Sequence, residues 1–189
     1  MFSNALCVVA SDDAGMLALL NSSIHKEWAF EYSSTLGTTY RYTPSDCFES
    51  FPFPASVAGL RRLGERFHAT RREVMMASSV GLTSLSHHFH DERSELRGMD
   101  DLRELAIDID REVLTQYGWD DIDLDHGFWL GRNKEVCFQP SKAARREFLD
   151  RLLEANFRCY AEECERGLHD SAVATVTTDD AGVVRLVVR

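Results

Sequence analysis

The segment Phe51-Pro52-Phe53-Pro54 restricts the fold more than any other stretch of this chain. Proline lacks a backbone N–H and biases the preceding residue toward extended geometry, so the segment cannot be an interior strand with a full hydrogen-bond ladder. Residues two apart lie on the same side of an extended chain, which places Phe51 and Phe53 together. We predict a stiff hydrophobic clip, called the FPFP strap below, that ends one layer and begins the next helix. A ligand contact at these rings is the alternative.

Charge is distributed unevenly along the 189 residues, which carry a net charge of −10. Residues 55–79 contain five arginines and two glutamates, whereas residues 100–126, called the acidic segment below, contain ten acids and two arginines. Strong binding to nucleic acid requires clustered lysine and arginine, so the overall charge argues against a strong nucleic-acid binder acting alone. The length suits one domain, or a domain with an appendage.

The cysteines and the N-terminus indicate an intracellular, cytoplasmic protein. Five cysteines are scattered without a C-x-x-C pair, which favours buried reduced thiols over a zinc site or a disulfide framework. No apolar run is long enough for a membrane span, and the start of the chain lacks the basic region and the apolar length of a signal peptide.

The N-terminal part is expected to contain short strands packed on a helix. Residues 4–10 are apolar and predict a buried strand, and TTYRYT at 38–43 predicts another. Between them Asp12 or Asp13 is the predicted cap of one helix. Its apolar stripe comprises Met16, Leu17, Leu20, Ile24, Trp28 and Ala29.

Long helices are predicted after the strap. Ser56 is the expected N-cap of a helix that runs to about Ser79, where Gly81 follows, and apolar residues at spacings of three and four form a seam suited to another helix. The polar stretch 81–96 predicts a loop with at most one helical turn. A further helix is expected from about Met99 to Tyr117, and Gly118 is its predicted stop.

The C-terminal part predicts an acidic loop at 119–130, a short extended piece at 136–140, and a helix that Ser141 opens and Gly167 ends. Two β-prone runs around Asp179-Asp180-Ala181-Gly182 predict a closing hairpin. The expected fold class is therefore α+β and mainly α-helical. We divide it into an α/β unit at 1–54 that ends with the FPFP strap, a helical domain at 55–167 and a hairpin at 168–189.

Two groups of side chains contain residue types that bind metal ions, but the spacing of neither group fits a known metal site. His87, His88 and His90 precede Asp91, but adjacent histidines diverge and no second ligand cluster follows at a fixed spacing. Asp121, Asp123 and Asp125 resemble the start of a calcium loop, yet His126 and Arg132 occupy the places of its glycine and its final glutamate. No phosphate-binding, dinucleotide-binding, hydrolase or zinc-protease motif occurs in the sequence, so we expect no metal, no cofactor and no catalysis.

Several segments resemble, in the same order, the C-terminal region of type IIG and MmeI-like (type IIL) restriction-modification proteins, which are adenine-specific DNA methyltransferases. The first two are LLNSSIHKEWAFEYSS and RYTPSDCFESFPFP, which resemble the end of a target-recognition domain. The others resemble the helical tail: GERFHATRREVMMASSVGLT, FHDERSE, LRELAIDIDREVLTQYGWDDIDLDHGF and AARREFLDRLLEANFRCYAEE. The resemblance covers roughly residues 15–166. The closing hairpin falls outside it.

This resemblance implies a non-catalytic recognition or scaffold part of a restriction-modification, phage-defence system. The motifs of the S-adenosylmethionine-dependent domain have no counterpart here, so we expect a methyltransferase polypeptide, or a second copy of the chain, as partner. The assembled complex would bind double-stranded DNA. Its contacts would come from arginines and aromatic rings, because arginine contacts phosphates and guanine edges while aromatic rings stack on splayed bases. The candidate DNA-binding residues are Tyr40, Arg41, Tyr42, Arg61, Arg62, Arg66, Arg71 and Arg72.

Two alternatives remain open. The arginines of residues 61–72 can instead form a solvated helix face paired with the acidic segment. The chain as a whole can be a protein-interaction module without DNA contact, whose acidic segment docks a basic partner or mimics nucleic-acid charge.

Overall fold

The fold is mainly α-helical, as predicted, with short antiparallel strand pairs. The structure, a computed structural model, describes residues 7–36, 39–132, 134–168, 174–178 and 184–188. Its α-helices are α1 Ala14–Asn21, α2 Ser23–Tyr32, α3 Pro44–Cys47, α4 Arg61–Ser78, α5 Leu82–His90, α6 Met99–Tyr117 and α7 Lys142–Glu165. Its strands are β1 Ser34–Leu36, β2 Thr39–Arg41, β3 Gly127–Leu130, β4 Val136–Gln139, β5 Ala174–Thr178 and β6 Val184–Val188. Each strand pairs with its sequence neighbour, in the order β1 with β2, β3 with β4 and β5 with β6.

The predicted strand at residues 4–10 is wrong for the part that the structure describes. Residues 7–10 have no regular secondary structure, and Val8 keeps 57% of its surface exposed. Residues 4–6 lie outside the described part of the chain. A strand is stable only when a neighbour pairs with its backbone, and none of the described strands pairs with residues 7–10. Apolar composition alone therefore misled the prediction.

The predicted first helix is two helices. Asp13 caps α1 as expected, because its Oδ1 accepts a hydrogen bond from the Gly15 N–H at 2.8 Å. Ser22 then adopts extended geometry and its Oγ accepts from the His25 N–H at 3.2 Å, which starts α2. A serine hydroxyl is a strong N-cap, so this local bond competes successfully with continuation of the first helix.

The FPFP strap is a hydrophobic clip, as predicted. Phe51 keeps only 3% of its surface exposed, and the Phe53 ring packs edge-on against it at 5.1 Å between centroids. Carbonyls in the strap and directly before it accept hydrogen bonds from two helices, since Tyr117 Oη donates to Pro52 O at 2.9 Å and Asn156 Nδ2 donates to Ser50 O at 2.6 Å. The strap thus ties α6 and α7 together before α4 begins.

Helix α4 begins later than predicted. Ser56 Oγ accepts from the Ala58 N–H at 3.1 Å, at the first residue of a short 3₁₀ turn over Ala58–Leu60 whose N-cap is Val57, so Ser56 is not the N-cap of α4. The helix then passes close to α1, because a Cβ placed on Gly64 would lie 1.9 Å from the carbonyl oxygen of Ala14. Glycine at this position permits the close approach.

Helix α5 corrects the loop predicted for residues 81–96. Its nine residues end where the buried Arg103 of α6 donates to three main-chain carbonyls, those of His88 and Phe89 at 3.1 Å and that of Asp91 at 2.8 Å. The last carbonyls of a helix have no hydrogen-bond donor within the helix, and here the guanidinium of Arg103 is the donor. The stabilising group lies outside the segment, so local periodicity could not reveal the helix.

Helices α6 and α7 agree with the prediction. Gly118 is the left-handed C-cap of α6, and Ser141 Oγ accepts from the Ala144 N–H at 3.3 Å at the start of α7. The main core joins both sides of the domain boundary predicted at residues 54 and 55, since Trp28 and Phe51 belong to the same buried cluster as Ile109 and Phe148. A second cluster of Val74, Leu85, Met99 and Leu102 lies between α4, α5 and α6.

Candidate nucleic-acid interface

Three of the predicted DNA-contacting arginines lie exposed on α4. Arg62, Arg66 and Arg72 are exposed, and none forms an ion pair within the part of the chain that the structure describes. Arg62 and Arg66 are one helical turn apart and therefore share a face. Glu65 and Glu73 lie on the same helix and are also exposed, so the outer surface of α4 is basic overall but mixed.

The other two arginines of α4 are already engaged within the molecule. Arg61 Nη2 lies 3.2 Å from Asp13 Oδ2, and this guanidinium holds the pKa of the Asp13 carboxyl below its usual range. Arg71 is half-buried, with its guanidinium 5.4 Å from the centroid of the Phe67 ring. Nine residues correspond to half a turn beyond two full turns, so Arg71 lies opposite Arg62 on the helix. The structure does not place all five arginines on one face.

Tyr42 is anchored to α2. Its hydroxyl lies 3.0 Å from His25 Nε2, and burial raises the pKa of Tyr42 to about 12. Arg41 at the end of β2 is exposed. Tyr40 belongs to the same strand, and its side chain lies outside the described part. Tyr42 and Arg61 thus contact different helices, α2 and the start of α1, and no described contact joins them.

The arginines of α4 do not pair with the acidic segment. Within the described residues, no salt bridge connects Arg61, Arg62, Arg66, Arg71 or Arg72 to residues 100–126. The acidic segment forms its own surface, in which a cleft of about 540 Å³ lies between α6 and the loop that follows. Asp120, Asp123 and Asp125 line this cleft beside a single arginine, Arg111.

A buried carboxylate within the acidic segment was missed by sequence reasoning. Asp110 accepts from the Ser23 N–H at 2.7 Å and lies 2.8 Å from His126 Nε2, and its surface is only 1% exposed. It therefore joins α6, the first turn of α2 and the loop before β3. In the sequence Asp110 is indistinguishable from the other acids of the acidic segment, because its partners are 87 residues before it and 16 residues after it in the chain.

A second buried ionic group was also missed. Glu27 accepts from Arg145 Nη1 and from Arg132 Nε, both at 3.2 Å, and Arg132 also bonds to Glu31. Arg145 donates to Leu130 O as well, at 3.2 Å, so this group joins α2, α7 and the β3–β4 hairpin. Each of its glutamate–arginine pairs joins residues more than 100 positions apart, and no local pattern marks them.

The histidines and aspartates considered as metal ligands have other contacts. His88 Nδ1 lies 3.0 Å from Ser94 Oγ, and both oxygens of Asp121 accept from Arg151, at 2.8 and 2.6 Å. No cluster of three potential ligands occurs in the part of the chain that the structure describes.

The cysteines are free, but the prediction that they are buried is wrong for Cys7 and Cys159, which are exposed. Cys47 is buried and donates weakly to Ala29 O at 3.7 Å. Burial raises the pKa of the Cys47 thiol.

Comparison with protein-family models, with curated proteins and with solved structures found no match for this chain. Among the described residues, no helix combines the length and the apolar character needed to cross a membrane.

Proposed function

We propose that this chain is a non-catalytic recognition or scaffold part of a DNA adenine methyltransferase or restriction-modification system, and that it contacts double-stranded DNA through α4. One observation carries the DNA contact. Arg62, Arg66 and Arg72 project from one helix into solvent without ion-pair partners among the described residues. In a protein of net charge −10, such unneutralised arginines are the groups suited to phosphates. The ordered resemblance to type IIG and type IIL proteins supports the methyltransferase system.

The engaged residues refine this proposal. Arg61 is exposed but paired with Asp13, and Arg71 is turned to the opposite side of α4 from Arg62, so both contribute less than Arg62, Arg66 and Arg72. Tyr42 is held by His25, which leaves Arg41 at the end of β2 as the exposed candidate that has no ion-pair partner among the described residues. Phe51 and Phe53 of the strap pack into the main core, so the strap has no surface role in this proposal.

The test is a salt titration of DNA binding by the assembled complex. The tagged chain is purified from its native cells with any methyltransferase polypeptide that accompanies it. The affinity of this complex for duplex DNA is then measured by fluorescence anisotropy at several salt concentrations. Removing one arginine–phosphate contact reduces the slope of log K against log salt by about 0.9. For the triple variant R62A/R66A/R72A we therefore expect weaker binding and a slope smaller by about 2 to 3.

A matched control removes the same charge elsewhere. Arg93, Arg97 and Arg158 are exposed and lie outside α4, so R93A/R97A/R158A should leave affinity and slope close to those of the native chain. Equal effects of the two triple variants, or no effect of either, would exclude α4 as the DNA contact. Purification without a methyltransferase polypeptide would count against the proposed system independently of α4.

The acidic cleft favours a second candidate function. Three aspartates line it beside one arginine, which suits a lysine or arginine side chain of a basic protein. An interaction module of this kind predicts salt-sensitive binding to a basic protein, weakened by D123N/D125N, and no binding to duplex DNA. DNA binding by the complex that survives D123N/D125N and fails in R62A/R66A/R72A would favour the first proposal.

A further inference from the structure

A small apolar cavity lies between α4, α5, α6 and strand β4, away from the outer face of α4. Its volume is about 190 Å³. A cavity of about 150 Å³ lined by apolar side chains holds one benzene molecule, so this cavity has room for one six-membered ring. Its walls are mainly aromatic and aliphatic side chains: Phe67, Phe89, Phe138, Leu82, Leu85 and Leu102.

The lining of this cavity includes two cations from different helices. Arg71 of α4 and Lys26 of α2 both line it, and no aspartate or glutamate does so among the described residues. Neither cation has an ion-pair partner in the described part of the chain; each instead lies near an aromatic ring, Arg71 over Phe67 at 5.4 Å and Lys26 over Phe30 at 5.8 Å. Burial without a counter-charge lowers the pKa of Arg71, because the guanidinium is partly removed from water and no carboxylate replaces that hydration.

A polar atom in the same wall is also unsatisfied. His90 lines the cavity, and its Nδ1 is buried without a hydrogen-bond partner among the described residues. Burial lowers the pKa of His90 to about 4, so its ring is neutral at pH 7. The net charge of the lining at pH 7 therefore comes from Arg71 and Lys26 alone.

We propose that this cavity binds a small carboxylate with one hydrophobic ring, whose ring lies among Phe67, Phe89 and Phe138 and whose carboxylate is held by Arg71 and Lys26. The planar fork of a guanidinium matches the two oxygens of a carboxylate, and the lysine adds a second positive charge. Free phosphate is a poorer match, because it has no ring to fill the space among the three phenylalanines and the apolar walls would desolvate a dianion. This site is independent of the DNA contact proposed for α4.

Phenylacetate is the probe that matches this cavity in ring size and charge. Its binding to the full chain is followed by two-dimensional NMR, with the His90 ring resonances as the reporter. We expect saturable shifts at His90 and at residues of α4 and α5. Phenylacetamide has nearly the same shape without the charge, and acetate has the charge without the ring. Phenylacetamide loses the charge-assisted hydrogen bonds and acetate loses the burial of the ring, so each should bind at least about tenfold more weakly.

Two variants locate the site. Arg71→Gln should weaken phenylacetate at least about tenfold, whereas Arg72→Gln, which removes a neighbouring exposed charge, should leave binding unchanged. Ala106→Leu adds volume to the cavity wall and should abolish binding. The unliganded NMR spectrum of each variant verifies that it is folded.

The proposal is overturned by any of three results. Shifts that do not saturate up to the solubility limit of phenylacetate would show that the cavity does not bind it. Equal binding of phenylacetamide and phenylacetate would show that the two cations do not recognise a carboxylate. Native-like binding by folded Ala106→Leu, or equal effects of R71Q and R72Q, would place the ligand elsewhere.

Discussion

At the scale of single residues, the buried charged groups do most to orient the elements. Asp110, Glu27, Arg103 and Arg145 are all buried, and each has at least two hydrogen bonds to other parts of the chain. A buried charge is tolerated only when it is paired and hydrogen-bonded. Their positions therefore specify how α2, α6, α7 and the β3–β4 hairpin meet.

Asp110→Ala tests this interpretation. Removal of the carboxylate leaves the Ser23 N–H and the His126 ring without their acceptor, and we expect unfolding in urea to become easier by about 3 kcal/mol. Asp108→Ala is the matched control, because Asp108 is exposed on the same helix and lies 3.8 Å from the exposed Arg111. Its effect should stay within about 0.5 kcal/mol. Similar destabilisation by the two variants would mean that the Asp110 bonds do not stabilise the fold.

At the scale of elements, the ends of the helices show which boundaries are local. Asp13 and Ser141 cap their helices with side-chain bonds to residues two or three positions away. The end of α5 depends on Arg103, which lies 12 to 15 residues further along the chain. Backbone groups at the starts of α1 and α7 thus bond to side chains two or three residues away, whereas those at the end of α5 bond to a side chain of another helix, α6.

The two glycines that bound α6 provide a comparison within one helix. Gly98 and Gly118 have φ angles of +87° and +73°, where other residues are strained. A Cβ on Gly118 meets nothing within 4 Å, so Gly118→Ala should cost about 1 kcal/mol in urea unfolding. A Cβ on Gly98 would lie 2.6 Å from Cγ2 of Val74, a buried and stiff side chain, so Gly98→Ala should cost about 2 to 3 kcal/mol. Equal costs would show that the contact with Val74 adds nothing.

At the scale of the whole molecule, one core spans the chain from α1 to α7, and Phe67 packs against both buried clusters. Buried side chains on both sides of the boundary predicted at residues 54 and 55, such as Phe51 and Leu60, belong to this core. Buried histidines make the stability of the fold sensitive to acid. Burial lowers the pKa of His25 to about 4 from its ordinary value of 6.5, so the unfolded chain binds a proton more readily.

His25 predicts the direction of this pH dependence. A histidine whose pKa is lowered in the folded state contributes its full stability above pH 6.5, and that contribution falls as the pH drops toward 4. For His25 the decrease in stability between pH 7 and pH 5 is about 2 kcal/mol. His25→Gln should therefore lose about 2 kcal/mol less than the native chain over this range, measured by urea unfolding at each pH. His68→Gln, at an exposed position, should follow the native curve.

Part of the candidate interface was predictable from sequence and part was not. The position of the arginines on a helix after the strap follows from periodicity and from proline chemistry, and the structure agrees. That Arg71 turns inward toward Phe67 while Arg62 and Arg66 face solvent depends on which side of α4 packs against the rest of the molecule. The cavity beside Arg71 was not predicted at all, because its walls come from elements that are distant in sequence.

The sequence by itself determined the features that depend on near neighbours. Helices α6 and α7 follow from apolar spacing and from Gly118 and Ser141, the Asp13 cap from its own side chain, and the clip geometry of the strap from two prolines. Tertiary structure decided the rest: the helix at 82–90, the irregular backbone at 7–10, and the buried bonds of Asp110 and Glu27. These depend on partners up to 118 residues away, and a local pattern carries no information about which distant group supplies a hydrogen bond.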